Sequence, residues 1–180
     1  MLCALFLLSG TAQAQQAKKS DPRTARSGLG LRGGRWLSQP YGEIFFNRGL
    51  TNRVTLETSV GVGEERLADW HNYVVPLLTT VKLYPVTGPQ SRIEPYVLAG
   101  IGFAIGIENE STKAIGGGGT SIVTGFAVKA AGGIECRVFH WFTVLGEMQY
   151  LNMRFNEDLG SRAIFDGFAP TVGIAYRFVP

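Results

Sequence analysis

Ile93-Glu94-Pro95-Tyr96-Val97-Leu98-Ala99-Gly100-Ile101-Gly102-Phe103-Ala104-Ile105-Gly106-Ile107 is the stretch that decides the fold. Its odd positions are all apolar, while its even positions are Glu94, Tyr96, Leu98, Gly100, Gly102, Ala104 and Gly106. A strand sends alternate side chains to opposite faces, so a period of two sustained this long predicts a strand. Strands in globular proteins most often run about 5–6 residues. One of this length can cross a bilayer when tilted.

The same period recurs on both sides of that stretch. Val54, Leu56, Thr58, Val60 and Val62 oppose Arg53, Glu57 and Gly61; Tyr73, Val75, Leu77, Thr79, Val81 and Leu83 oppose Lys82 and Tyr84. Phe126, Val128, Ala130, Ile134, Cys136 and Val138 oppose Lys129, Glu135 and Arg137. Phe142, Val144, Met148 and Tyr150 oppose Glu147 and Gln149, and Phe168, Pro170, Val172, Ile174, Tyr176 and Phe178 oppose Thr171, Gly173, Ala175 and Arg177. Two earlier segments are less regular. Leu29 and Leu31 oppose Gly28, Gly30 and Arg32, and Ile44 and Phe46 oppose Glu43 and Asn47, with Phe45 out of pattern. Together these predict eight strands of about 9–14 residues.

In the six regular segments the apolar faces carry no charge. The opposite faces carry Arg53, Glu57, Lys82, Glu94, Lys129, Glu135, Arg137, Glu147 and Arg177. A soluble sandwich or lipocalin turns its apolar face inward, whereas a membrane barrel turns it to lipid and keeps polar groups inside. Alternation alone does not separate the two, but three further features favour the membrane. The strands are long enough to span. Tyr73, Phe126, Tyr150 and Phe168 gather at one end of the apolar faces, and Phe142, Tyr176 and Phe178 at the other, as interfacial girdles do. Connections alternate between short turns, near 49–52 and 138–141, and long polar segments at 63–72, 108–122 and 155–166. The expectation is an all-β, eight-stranded, antiparallel up-and-down transmembrane barrel spanning residues 27–180, its core plugged by paired charges. Many of the 24 glycines in 180 residues fall on predicted inward positions, where they are expected to make room for long charged side chains.

Residues 1–14 read as a signal peptide, an apolar block followed by Ala12-Gln13-Ala14, with cleavage expected near Ala14. Residues 15–26 read as a flexible leader. Cleavage would leave Cys136 as the one cysteine, which excludes an intramolecular disulfide and a CxxC metal site. No metal or other cofactor is expected. Export also argues against nucleic acid as a partner for the net charge of +3. Gly28-Leu29-Gly30-Leu31-Arg32-Gly33 spells a dinucleotide fingerprint but lacks the following helix that would hold a pyrophosphate.

The last strand, Thr171-Val172-Gly173-Ile174-Ala175-Tyr176-Arg177-Phe178, resembles the β-signal of bacterial outer-membrane proteins, carried here by Gly173, Tyr176 and Phe178. Lys82-Leu-Tyr-Pro85, Glu94-Pro-Tyr96-Val-Leu-Ala-Gly100-Ile-Gly102 and Gly132-Gly-Ile-Glu-Cys-Arg-Val138 resemble the small outer-membrane β-barrel domain family of OmpA-like, OmpX-like and opacity-type proteins. The resemblance implies a Gram-negative outer-membrane location and a monomer. It also implies insertion by the barrel-assembly machinery and contact with membrane lipid and lipopolysaccharide. A structural or surface-interaction role is expected, with Trp70, His71 and Tyr73 as the candidate contact surface. The alternatives are a barrel enzyme acting on lipid A or phospholipid acyl chains, or a narrow pore. Neither His71 nor His140 sits in the His-x-Ser motif of the lipid A deacylases, so no catalytic residue is expected.

Overall fold

The computed structural model describes residues 27–67, 70–85, 92–110, 120–159 and 162–178, with side chains described throughout except at 65–67, 70–71, 109–110 and 120. The signal peptide and leader lie outside the described residues. Eight strands follow one another: β1 (Gly28–Trp36), β2 (Gln39–Gly49), β3 (Val54–Leu67), β4 (Trp70–Leu83), β5 (Ile93–Glu110), β6 (Thr120–Arg137), β7 (Phe142–Leu159) and β8 (Arg162–Arg177). Each pairs antiparallel with its sequence neighbours, and β1 pairs with β8 from Gly28↔Arg177 to Gly34↔Thr171, closing the barrel. Closure satisfies every edge, which an open sheet in lipid could not do.

The strands run longer than the sequence predicts, reaching 18 residues in β5, β6 and β7. Segments 63–72 and 155–166, expected as long loops, are largely strand: Glu64 pairs with Tyr73 and Arg66 with His71, while Leu159 pairs with Arg162 beyond a register shift. The reason is physical. Polar side chains end the two-residue period, but the backbone ladder continues through them unchanged. β5 and β6 likewise extend to Glu110 and from Thr120, into the segment 108–122, also expected as a loop.

In β2 the structure keeps the expected phase and gives Phe45 its place in it. Tyr41, Glu43, Phe45 and Asn47 point inward, and Ile44, Phe46 and Arg48 outward. Phe45 is therefore in step with its strand, an interior aromatic side chain among charges.

The β1–β2 connection is a two-residue hairpin whose residues, Leu37 (φ 50°) and Ser38 (φ 66°), both lie in the left-handed region. Asn-Gly is the usual sequence for such a turn, because a Cβ there costs roughly 1–2 kcal/mol per residue. Leu37 offsets the cost by packing on the interior apolar cluster. Ser38 is exposed and has no such return. Ser38→Gly is expected to raise the unfolding free energy by about 0.5–1 kcal/mol in a urea titration of the folded barrel. A decrease would contradict the strain.

The inside of the barrel is divided along its axis. Away from the termini it is apolar: Trp36, Tyr41, Val74, Leu78, Ala104, Val123, Ala127, Leu151, Met153, Phe155, Leu159, Phe165 and Ala169 form one buried cluster. Toward the termini it is charged. The charged plug expected from the sequence thus fills only half of the bore.

Candidate functional site: a filled interior inside an apolar belt

The inward positions of the strands place five basic side chains (Arg32, Lys82, Lys129, Arg137 and Arg177) beside five acidic ones (Glu43, Glu57, Glu94, Glu135 and Glu147). They form one continuous chain of alternating sign. Lys129 meets Glu43 at 3.1 Å and Glu147 at 3.5 Å. Arg32 then joins Glu43 at 2.8 Å, Glu147 at 3.1 Å, and Glu57. Lys82 bridges Glu57 at 3.0 Å to Glu135 at 3.2 Å. Arg177 links Glu135 at 2.8 Å to Glu94 at 3.9 Å, and Arg137 closes the run on Glu94 at 3.3 Å. Arg32, Lys82, Lys129, Glu43, Glu57 and Glu147 have no exposed side-chain surface in these pairs. Only Arg137, at 33% exposure, opens appreciably to the termini end.

Burying an isolated charge costs several kcal/mol, which pairing offsets only when the remaining lone pairs and protons are also satisfied. Three tyrosines contribute to that. The phenols of Tyr41, Tyr84 and Tyr96 donate to Glu43 (3.2 Å), Glu135 (3.0 Å) and Glu147 (2.8 Å). Aromatic faces receive the cations: Arg32 lies 4.7 Å from the Phe45 ring centre, and Lys82 lies 4.3 Å from that of Tyr96.

Of the nine charges expected inside, Glu57, Lys82, Glu94, Lys129, Glu135, Arg137, Glu147 and Arg177 are brought together in this chain. Arg53 is not. It is exposed in the β2–β3 turn, one residue before β3 begins, because the period was extended one step past the strand. The sequence reading also leaves out Arg32, the side chain with the most carboxylate partners, and Glu43. Both lie on the less regular β1 and β2. Charge balance is the signal that could have found them: exchanging Arg53 for Arg32 and Glu43 makes the two signs equal.

The inward glycines serve two uses: Gly173 leaves room for Arg32, as expected, but others serve aromatic rings. A Cβ at Gly61 would stand 2.6 Å from the Tyr41 hydroxyl, and one at Gly133 would stand 2.6 Å from that of Tyr96. Glycine here makes room for aromatic rings, whose hydroxyls then serve the carboxylates. Gly61→Val is expected to cost about 1–3 kcal/mol by overpacking. Gly42→Val, which would enter open space on the outer face, should change stability by less than about 0.5 kcal/mol. Equal effects in paired urea titrations would contradict this assignment.

The outer face is the inverse of the inner. Leu29, Leu31, Ile44, Phe46, Val60, Val62, Leu77, Val81, Val97, Ile101, Phe103, Phe126, Val128, Val144, Met148, Phe168, Val172 and Ile174 are all exposed around the circumference. On β8 the belt runs from Phe168 to Phe178. Ten steps of about 3.3 Å, tilted by about 40°, give a height of about 25 Å, close to the apolar band of outer-membrane barrels. Aromatic pairs edge it. Tyr150 and Phe168 lie 5.2 Å apart at one border, and Trp141 lies 5.9 Å from Tyr176, itself 5.9 Å from Phe178, at the other.

Of the β-signal residues, Tyr176 and Phe178 face outward, while Gly173 lies against Arg32 on the closing strand pair. Tyr73 is exposed on the outer face of β4. Trp70 and His71 open the same strand, paired with Leu67 and Arg66, and their side chains lie outside the described residues.

No family model matches the sequence, and no curated protein matches it. Solved structures do match by shape. Neisserial surface protein A superposes with a TM-score of 0.63 at 11% identity, over 84% of this chain and 94% of its own. The N-terminal β-barrel domain of Pseudomonas aeruginosa OprF gives 0.53 at 16%, over 84% and 96%. Ail, the attachment invasion locus protein of Yersinia pestis, gives 0.50 at 12%, over 84% and 95%. With its closed eight-strand order and all-antiparallel pairing, the chain has the fold of the small outer-membrane β-barrels.

Proposed function

We propose that the chain is a non-enzymatic outer-membrane barrel of a Gram-negative envelope, closed to solutes and acting through the hairpins that project from the end opposite its termini. The observation that carries this reading is the inversion of polarity: an exposed apolar belt around the outside and an alternating charge chain within. In water such a belt would be a large aggregation-prone surface, whereas in lipid it is solvated. Export by a cleaved signal peptide, insertion through recognition of Gly173, Tyr176 and Phe178 by the assembly machinery, and a monomeric state complete the proposal. Trp70, His71 and Tyr73, on the rising edge of β4, are the surface proposed to meet lipopolysaccharide or a partner. The solved structure of similar shape described as an attachment invasion locus protein supports looking for recognition there.

Heat-modifiable gel migration combined with membrane fractionation tests the location. The folded chain should migrate faster than the boiled one and sediment with outer membranes. Recovery in the aqueous periplasmic fraction would overturn the reading. Planar-bilayer recordings should be silent, since Lys82, Lys129, Gln149 and Leu151 in the bore are all fully buried.

A further inference from the structure

The charges at the two ends of the barrel are arranged differently. At the termini end, the described residues 48–53, 84–85, 92 and 137–141 include no Asp or Glu. Arg48, Arg53 and Arg92 are exposed there and make no ion pair among the described residues. At the opposite end, exposed Arg154 shares its rim with Glu157, Asp158 and Asp166. Among the described residues, exposed carboxylates therefore accompany the arginines at the far border of the apolar belt only.

Their placement relative to the belt is specific. Arg48 continues the outward row Ile44, Phe46, Arg48, so its guanidinium stands one step beyond the last apolar side chain of β2. Phe46 touches Phe178, with ring centres 6.3 Å apart, and pairs in register with Leu29. Leu29 in turn borders a shallow apolar hollow of about 340 Å³, lined also by Leu31, Trp141, Phe142, Ile174 and Tyr176. Arg53 and Arg92 sit in the neighbouring turns, next to the outward-facing Val54 and Ile93. A cation just outside the apolar layer, with an apolar recess beside it, suits a molecule that carries a phosphate at one end and acyl chains at the other.

We infer that the rim formed by Arg48, Arg53 and Arg92 binds the phosphates of anionic glycerophospholipid in the leaflet on the termini side, with an acyl chain in the hollow beside Leu29 and Tyr176. The inference rests on the membrane reading above. Guanidinium groups bind phosphate through two parallel hydrogen bonds. Basic residues near an anionic membrane surface each contribute about 1 kcal/mol, roughly fivefold in affinity.

The test is native mass spectrometry of the detergent-purified barrel after incubation with phosphatidylglycerol or phosphatidylcholine. The full chain should retain phosphatidylglycerol at least tenfold better. The triple variant Arg48→Gln/Arg53→Gln/Arg92→Gln should bring that preference to within about twofold. The control Arg35→Gln/Arg154→Gln, at the opposite end, should leave it intact. No preference in the unaltered chain, or one that survives the triple variant, would overturn the inference. So would loss in the triple variant of binding to peptidoglycan sacculi with lipid retention unchanged, since the rim would then serve a polymer. Folding of every variant into pure phosphatidylcholine vesicles, followed by heat-modifiable migration, checks the barrel reading separately. Failure to insert there counts against the membrane reading, whereas insertion without lipid preference counts against the rim alone.

Discussion

Replacing Arg32 by methionine is expected to lower the unfolding free energy of the barrel by about 3–5 kcal/mol, the range seen when one partner of a buried ion pair is removed. Arg32 is in contact with Glu43, Glu57 and Glu147, and none of the four side chains is exposed in those pairs. Without the guanidinium, Lys129 must serve both Glu43 and Glu147, and Lys82 must hold Glu57 while still bridging to Glu135. An excess negative charge would remain in the bore. Arg137→Met makes the same chemical change at the partly open end of the chain of charges and should cost no more than about 1 kcal/mol. Adding Glu57→Gln to Arg32→Met restores the balance of signs and should recover part of the loss. Urea titrations in lipid vesicles measure all three. A cost for Arg32→Met no larger than that for Arg137→Met would show that the interior charges act independently of one another.

The second large effect concerns the outside. Ile101 is 59% exposed, on the β5 face that also carries Val97 and Phe103. Ile101→Arg is expected to cost about 2–4 kcal/mol if that position lies near the bilayer midplane. The same substitution at the border of the belt should cost about 0–1 kcal/mol, and Leu50→Arg, in the β2–β3 turn, provides that comparison. In a soluble barrel both positions would face water and tolerate arginine equally. The difference between the two variants, measured by reversible unfolding from vesicles, therefore reports which solvent surrounds the strands. Equal and small effects would sink the membrane assignment.

How much of this could be read from the sequence depends on which solvent enforces the pattern. On the membrane reading, lipid rejects charge at every outward position, so the period of two is clean wherever both borders of a strand lie in the belt, as in β5 from Ile93 to Phe103. Beyond the belt both faces meet water or polar neighbours, and the period fades although the strand does not end. For that reason segments 63–72 and 155–166 looked like loops. In β1, Gly33 and Gly34 interrupt the alternation, and in β2 the adjacent Phe45 and Phe46 obscure it, one pointing to each side of the sheet. Arg32 and Glu43 were hidden by those neighbours, although both keep the phase of their strands. The division of the bore was not legible at all. Ala104, Ala127, Leu151 and Met153 are inward residues that the alternation treats as equivalent to Lys129 or Glu147, and only the closed geometry sorts them into levels.

On the membrane reading, the unequal strand lengths give the molecule a direction within the plane of the membrane. Near the termini the strand pairs begin close to one level, but β1 ends after 9 residues while β5 and β6 run for 18. At about 3.3 Å per residue and a tilt of about 40°, the difference amounts to roughly 20 Å of height. The far mouth is therefore a slope, low over the β1–β2 hairpin and walled by β5 and β6. A molecule travelling along the membrane surface would reach the apolar stopper at Trp36 and Leu37 from one compass bearing and meet a fence from the opposite one. Rotating a single barrel in place would thus change what its neighbours can touch, although nothing in its composition had changed.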